Sequence, residues 1–164
     1  MSSTFRIDYV EAALLALLQA KIAGAYGSKV QIDSLGDDDF DDDGRLVLQP
    51  PSIRLRFAGA DYENLRDNQR LTYEAGLPFE LLCFESSLRS KADERKQTLV
   101  LVATVQDQLV GARLLLADGA KTFPIEMRSV ALVDTDQGPV DQLFSLVVLV
   151  KGTAQFSGAN AQPA

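Results

Sequence analysis

The stretch Leu71 to Cys83, LTYEAGLPFELLC, decides the fold of this chain. Every odd-numbered residue in it is apolar, and the intervening positions as far as Glu80 are polar, glycine or proline. A two-residue period of this kind predicts a β-strand with one buried face. Gly76 and Pro78 interrupt the pattern, so we expect a bend or bulge there, or a free strand edge beside Pro78.

A helix is predicted directly after this strand. Ser90 and Asp93 have the spacing of a capping box, and acidic residues follow where the helix dipole favours them. The segment 98–105 is rich in β-branched residues and could also form a strand, but the caps and charges that precede it favour a helix. Apolar residues recur at helical spacing along it: Leu101, Val102, Val105, Leu109 and Ala112.

The flanking segments extend an α+β pattern. Residues 8–23 predict an amphipathic helix with Asp8 as its N-cap and Gly24 and Gly27 as its stop. Alternating segments predict strands at 30–32, 46–48, 53–58 and 123–127, the last with an extension to Leu132, whereas 59–69 is expected to be a polar loop. This order predicts a single domain at 1–156, with two main helices packed on a mostly antiparallel sheet, and a disordered tail at 157–164.

Residues 144–150, FSLVVLV, are apolar on both faces of a predicted strand. Such a strand is covered on both sides, either inside the domain or by a neighbouring subunit. The second alternative predicts a subunit interface formed by Phe144, Leu146, Val147, Val148, Leu149 and Val150, together with Leu77 and Phe79 of the long strand.

Composition excludes several kinds of active site. The 164 residues include no histidine, which removes Ser-His-Asp and Cys-His catalysis and histidine metal ligands. The net charge of −7 argues against broad nucleic-acid binding. No phosphate-binding glycine motif is present, and no apolar run reaches the length of about 18 residues that a membrane span needs. The single cysteine, Cys83, is expected to be a buried thiol. We therefore expect no enzyme activity, no cofactor and no membrane partner.

An acidic loop is predicted at 33–44, with six aspartates between Asp37 and Asp43. Asp39, Asp41 and Asp43 have the D-x-D-x-D-G spacing that opens a calcium loop, but the twelfth position, which should be a bidentate glutamate, is Pro50. The pattern favours a solvated, mobile loop, and a small calcium-responsive binding module is the alternative.

Two short signatures in this order are typical of a known family. The strand at 53–59 ends in Arg-Phe-Ala-Gly, and the strand from Arg70 to Glu85 is followed by Ser-Leu-Arg at 87–89. The central helix ends in Leu-Val-Gly-Ala at 109–112. With the N-terminal helix and the aspartate-containing loop, residues 8–152 resemble the small tail proteins of Mu-like contractile phages and phage-derived tail particles, which are thought to be tail terminators.

The resemblance implies a structural protein that assembles into a homohexameric ring in the virion tail, after synthesis in the host cytoplasm. Its implied partners are other copies of itself, the tail tube and sheath proteins and the head–tail connector protein, and DNA passes through without being bound specifically. Another head–tail joining or tail-completion protein is the nearest alternative. If the ring has six copies, its charge is −42, and acidic residues at the lumen or rim would repel DNA. The candidates are Asp37, Asp38, Asp41, Asp42, Asp61 and Glu63.

Overall fold

The computed structural model describes residues 5–27, 29–64, 72–85, 91–133 and 143–156. The described part is an α+β fold, as the sequence predicts, in which two helices cover one face of a six-stranded sheet. The predicted helix cap at Ser90, the Ser-Leu-Arg signature at 87–89 and the predicted tail at 157–164 lie outside these residues.

The sheet is mostly antiparallel. Its elements are α1 (Ile7–Tyr26), β1 (Gln31–Ser34), β2 (Ser52–Phe57), β3 (Asp61–Asn64), β4 (Thr72–Phe84), α2 (Lys91–Leu109), β5 (Glu126–Val133) and β6 (Leu143–Gln155). The strand order is β1-β2-β4-β6-β5, and β3 pairs with β4 beyond the end of β2. Only β1 and β2 run parallel among the pairs formed by the described strands.

The central strand β4 has the alternation predicted for it. Its odd-numbered side chains from Ala75 to Cys83 are fully buried beneath the helices. The register between β4 and β6 is continuous, so no bulge occurs at Gly76 or Pro78. Instead, the carbonyl of Pro78 accepts from Ala58 N at 2.9 Å, and Pro78 lies between the stretches paired with β2 and β3. Proline has no N–H. In a strand that group would point to the same side as the carbonyl, and on this side of β4 the neighbouring strand is interrupted between β2 and β3.

The first helix differs from the prediction at both ends. Arg6 occupies the N-cap without a side-chain capping bond, and Asp8 lies in the first turn, where it pairs with Arg6 at 2.6 Å. Gly24 does not stop the helix, which continues to Tyr26 and ends at Gly27 with a φ of 82°. The last turn is held by Tyr26, whose hydroxyl donates to the Glu85 carboxylate at 2.5 Å.

The β-branched segment of the second helix is helical, as the preceding charges predict. Leu101, Val102, Val105 and Leu109 face the core, and the hydroxyl of the buried Thr98 donates to the Glu85 carbonyl at 3.3 Å. After the helix, residues 112–125 form an irregular hairpin that turns at Gly119, as its Asp-Gly pair predicts.

The structure contains one strand that the sequence analysis treated as loop. Residues 61–64 form β3, although only Tyr62 among them has a side chain typical of a strand. Tyr62 packs edge-on to Tyr73 of β4 and beside Phe156, with ring centroids 6.4 and 6.2 Å away. Tertiary pairing with β4 therefore determines the conformation of this segment.

Candidate functional site

The acidic loop lies on the open face of the sheet, opposite the helices. Beneath it, Leu46 and Leu48 pack against a small apolar cluster of Leu82, Phe84 and Leu143. Asp39 forms an ion pair of 2.8 Å with Arg54 of β2, and both side chains are only 11% exposed. The ion pair and these apolar contacts tie the loop to the sheet, and a 3-10 turn forms at Asp37–Asp39. The mobility that its charge predicts stays a prediction.

The aspartates of the calcium-like motif hold the loop together. The Asp39 carboxylate bonds Arg54 and also accepts from Gly36 N at 3.0 Å. The Asp41 carboxylate accepts from Asp43 N at 3.0 Å and from Arg45 N at 2.8 Å. In the described residues, no three Asp, Glu, Cys or His side chains form a group that could hold a metal ion.

A second polar network crosses the open face. Glu80 of β4 accepts a hydrogen bond from Arg56 of β2 and another from the Ser145 hydroxyl of β6 at 2.7 Å. Each partner lies opposite or diagonal to Glu80 on a neighbouring strand. The network links the strands β2, β4 and β6, and both bonds of the Glu80 carboxylate serve to hold these strands together.

Most residues of the predicted subunit interface are covered within the subunit itself. Leu77, Phe79, Leu146, Val148 and Val150 are fully buried against the helices, and Leu149 on the other face is 3% exposed. The first of the two alternatives, burial inside the domain, therefore describes these six. The remaining two, Phe144 and Val147, are half-buried and leave only a small part of the predicted surface.

The candidate lumen residues form two separate groups. Asp37, Asp38, Asp41 and Asp42 are exposed on the acidic loop, which is tied to the open face at Arg54. Asp61 and Glu63 are exposed on β3 and pair with Gly76 and Glu74. Arg54 pairs with Leu82, six residues along β4 from Gly76, so the two groups are about 20 Å apart along the strand.

One exposed apolar region was not predicted. Among the described residues, seven of the eleven exposed large apolar side chains lie in the segment that runs from α2 through the following turn and hairpin to β5: Leu99, Val100, Val110, Leu115, Phe123, Val130 and Leu132. Six of the eight residues of β5 are exposed, which is unusual for a strand in a monomer. The sequence signal was a second apolar stripe on α2, at Leu99, Ala103 and Val110, beside the one that forms the core.

Comparison with known proteins supports the fold rather than a role for single residues. No protein-family model matches this chain, and no curated protein sequence matches it. Among solved structures, the fold is similar to that of a chain in the virion of a native gene transfer agent particle. The TM-score is 0.59 at 15% identity, and the match covers 91% of this chain and 96% of that chain. At this identity the likeness shows a shared fold.

A membrane-spanning helix is not found in the part of the chain that the structure describes. Neither α1 nor α2 combines the length and the apolar content that a bilayer crossing requires.

Proposed function

We propose that this protein is a structural subunit of a phage-type virion, and specifically the tail terminator. In this role six copies form a ring that ends the tail tube and sheath and meets the head-side connector. The observation that carries the proposal is the fold shared with a virion chain over 91% of this protein. The order of short sequence signatures at 53–59 and 109–112 supports the finer assignment to a tail terminator.

The chemistry of the described surface suits a structural, non-enzymatic role. The carboxylates of Asp39, Asp41 and Glu80 hold loops and strands together. Cys83 is fully buried, and burial raises the pKa of its thiol to about 12, so it is not a nucleophile at neutral pH. The exposed edge strand β5, in contrast, is a feature expected of a subunit that assembles.

The ring is tested with the purified protein. Six chains of 17.8 kDa give a particle of about 107 kDa, which native mass spectrometry separates from a monomer. Negative-stain images should show rings with a central channel. A protein that stays at the mass of one chain at all concentrations would contradict a ring that forms without other tail components.

The position of the protein in the virion is tested by deleting its gene from the genome that encodes the particle. A terminator stops tube growth, so its loss should give tails of variable length without heads. A head–tail joining protein acts after the tube is complete, so its loss should leave tails of normal length and separate, full heads. Normal particles after the deletion would contradict both roles.

A further inference from the structure

One exposed apolar strip runs along the flank of α2 and the edge strand β5. The amide of Gln106 lies 3.4 Å from the Met127 sulfur, which places this flank of α2 beside β5. Helical spacing puts Leu99 and Ala103 on the same flank. After the bulge in β5, Val130 pairs with the core residue Leu146, so strand alternation places it on the helix face. The strip comprises Lys96, Leu99, Ala103, Val130 and Leu132, and the exposed Arg128 adjoins it in the bulge of β5.

The strip is open to a partner in a single chain. Leu99, Val130 and Leu132 are 43%, 41% and 51% exposed. Within the described residues, Lys96 and Arg128 have no ion-pair partner, and no group bonds the outer edge of β5. An edge strand with exposed apolar side chains and unpaired backbone groups tends to associate with another chain.

A second surface, on the acidic loop, has the complementary character. Its exposed apolar side chain is Val47, which is 56% exposed and, by alternation with the packed Leu46 and Leu48, faces away from the sheet. Four exposed aspartates of the same loop have no hydrogen bond or ion pair from their carboxylates within the described chain: Asp37, Asp38, Asp42 and Asp43. This acidic-loop surface thus presents Val47 among four negative charges. The strip presents an apolar centre with Lys96 and Arg128 beside it, and its one exposed carboxylate on the described α2 flank is Asp107, one turn from Ala103.

The two surfaces cannot meet within one subunit. The ion pair between Asp39 and Arg54 holds the loop over β2 on the open face. The strip lies on the helix face at β5, with β4 and β6 between them in the sheet. Contact between the surfaces therefore requires two copies of the chain.

We propose that the strip of one copy receives the acidic-loop surface of a second copy. The inference rests on the proposed ring and names the surfaces that form its contact. Because the two surfaces differ, the contact is heterologous, which is the type that generates rings. Burial of Leu99, Val130 and Leu132 against Val47 supplies the attraction, and the charges set the orientation of the neighbour.

The apolar part is tested with Leu132→Asp. Leu132 is half-exposed, so the subunit should keep its circular dichroism spectrum and melting behaviour, while native mass spectrometry should show one chain of 17.8 kDa in place of the assembly. The control is Leu115→Asp, at an apolar side chain that is 64% exposed in the hairpin and outside the strip, which should assemble as the unchanged protein does. An L132D variant that assembles fully would overturn the inference.

The charged part is tested by exchanging signs between the surfaces. One variant carries Lys96→Glu and Arg128→Glu, and the other carries Asp37→Lys and Asp38→Lys. Each alone should show at least a tenfold loss of assembly, because like charges then face each other. An equimolar mixture should assemble again, with the two variants alternating. If each variant is defective and the mixture is too, the surfaces do not face each other.

Failure of this inference is distinguishable from failure of the proposed function. If the strip variants form rings of the usual mass, other surfaces make the contact and the terminator role is unaffected. If the unchanged protein stays monomeric in isolation, the inference is overturned, and the deletion experiment still decides the role in the virion. If mixing restores assembly but tails remain normal in the deletion strain, the contact holds and the terminator role fails.

Discussion

At the scale of single residues, the contact between Phe5 and Gly152 joins the start of α1 to the sheet. The Phe5 ring is 5% exposed and lies directly over Gly152 of β6. A Cβ atom added at Gly152 would lie 2.6 Å from Cδ2 and 2.8 Å from Cζ of this ring. Position 152 therefore requires glycine because a side chain would not fit beneath the Phe5 ring. The backbone conformation at this position does not itself require glycine.

We predict that Gly152→Ala destabilises the protein by about 1–3 kcal/mol, because the buried ring must move to admit the methyl group. Urea unfolding of the variant measures this. The control is Gly76→Ala on the neighbouring strand, where the nearest atom, Cδ1 of Leu149, is 3.4 Å away and the change should cost less. Adding Phe5→Ala to G152A should cost less than the same change in the unaltered protein. Equal stability of G152A and the parent would contradict the close contact.

Cys83 makes the stability fall at alkaline pH. Burial raises the pKa of its thiol from the ordinary value of 9.0 to about 12, so between these pH values the unfolded chain has lost a proton that the folded chain retains. The stabilising contribution is complete below pH 9 and is lost as the pH rises towards 12, with a slope of at most about 1.4 kcal/mol per pH unit. Burial and the bond to Glu85 also raise the pKa of Tyr26, which acts in the same direction.

The measurement is the free energy of unfolding between pH 8 and the onset of alkaline denaturation. Cys83→Ala should be less stable overall, because it leaves a cavity, but its stability should fall less steeply with pH. Identical slopes for parent and C83A would show that the thiol does not contribute.

At the scale of elements, the conformation of the acidic loop depends on the Arg54 side chain beneath it. Arg54→Met leaves the Asp39 carboxylate buried without its partner, which should cost about 1–3 kcal/mol. Hydrogen exchange should accelerate at Val47, whose N–H donates to the Asp39 carbonyl at 2.7 Å. Millimolar calcium should not restore the protection, because Asp39 and Asp41 serve the loop itself.

The control for this variant is Arg56→Met. The Arg56 side chain is 55% exposed and its ion pair with Glu80 lies outside the loop, so we expect a loss of about 0–1 kcal/mol and unchanged exchange at Val47. Slow exchange at Val47 in R54M would show that the apolar contacts of Leu46 and Leu48 are sufficient to hold the loop.

The elements that the sequence predicted well are those whose own residues carry the pattern. The alternation of β4 and the core stripe of α2 were readable because burial selects apolar side chains at a fixed period. The strand β3 could not be predicted in this way, because its conformation depends on pairing with β4 rather than on its own residues. Gly24 was read as a helix stop, but the helix continues because Ile22 is buried and Tyr26 bonds Glu85 beyond it.

The candidate surface was harder to predict than the fold. Apolar residues of β6 were assigned to a subunit contact, yet a sequence does not show which face α1 and α2 cover. Conversely, Val130 and Leu132 resemble core residues in sequence, and only the position of β5 at the sheet edge exposes them. The attachment of the acidic loop to the sheet could not be predicted from its charge alone, because the ion pair with Arg54 joins residues fifteen positions apart.

At the scale of the whole molecule, we propose that the tip formed by β3 supplies the rim residues of the proposed ring. Asp61 and Glu63 are exposed there, about 20 Å along β4 from the acidic loop. We predict that Asp61→Lys with Glu63→Lys leaves ring mass and tail length unchanged but slows DNA delivery, because the rim would then attract phosphate.

Infectivity per assembled particle measures this effect, with Asp61→Asn and Glu63→Gln as the uncharged control pair. The control should show an intermediate or negligible effect, since it removes repulsion without adding attraction. Normal infectivity of the lysine variant would show that β3 does not face the DNA path.

The edge strands β1 and β5 differ in whether their outward backbone groups are hydrogen-bonded within the described residues. At β1, the Ile32 carbonyl accepts from Gln19 at 3.0 Å, and the Ser34 N–H donates to Asp33 at 2.8 Å. Both groups point outward, since Gln31 and Leu35 bond β2 instead. A chain with two open edges could add copies indefinitely as an amyloid-like ribbon during overproduction. Because two outward groups of β1 already bond side chains of their own subunit, edge-to-edge growth through β1 is disfavoured, so concentrated subunits should remain soluble long enough to assemble through their side-chain surfaces.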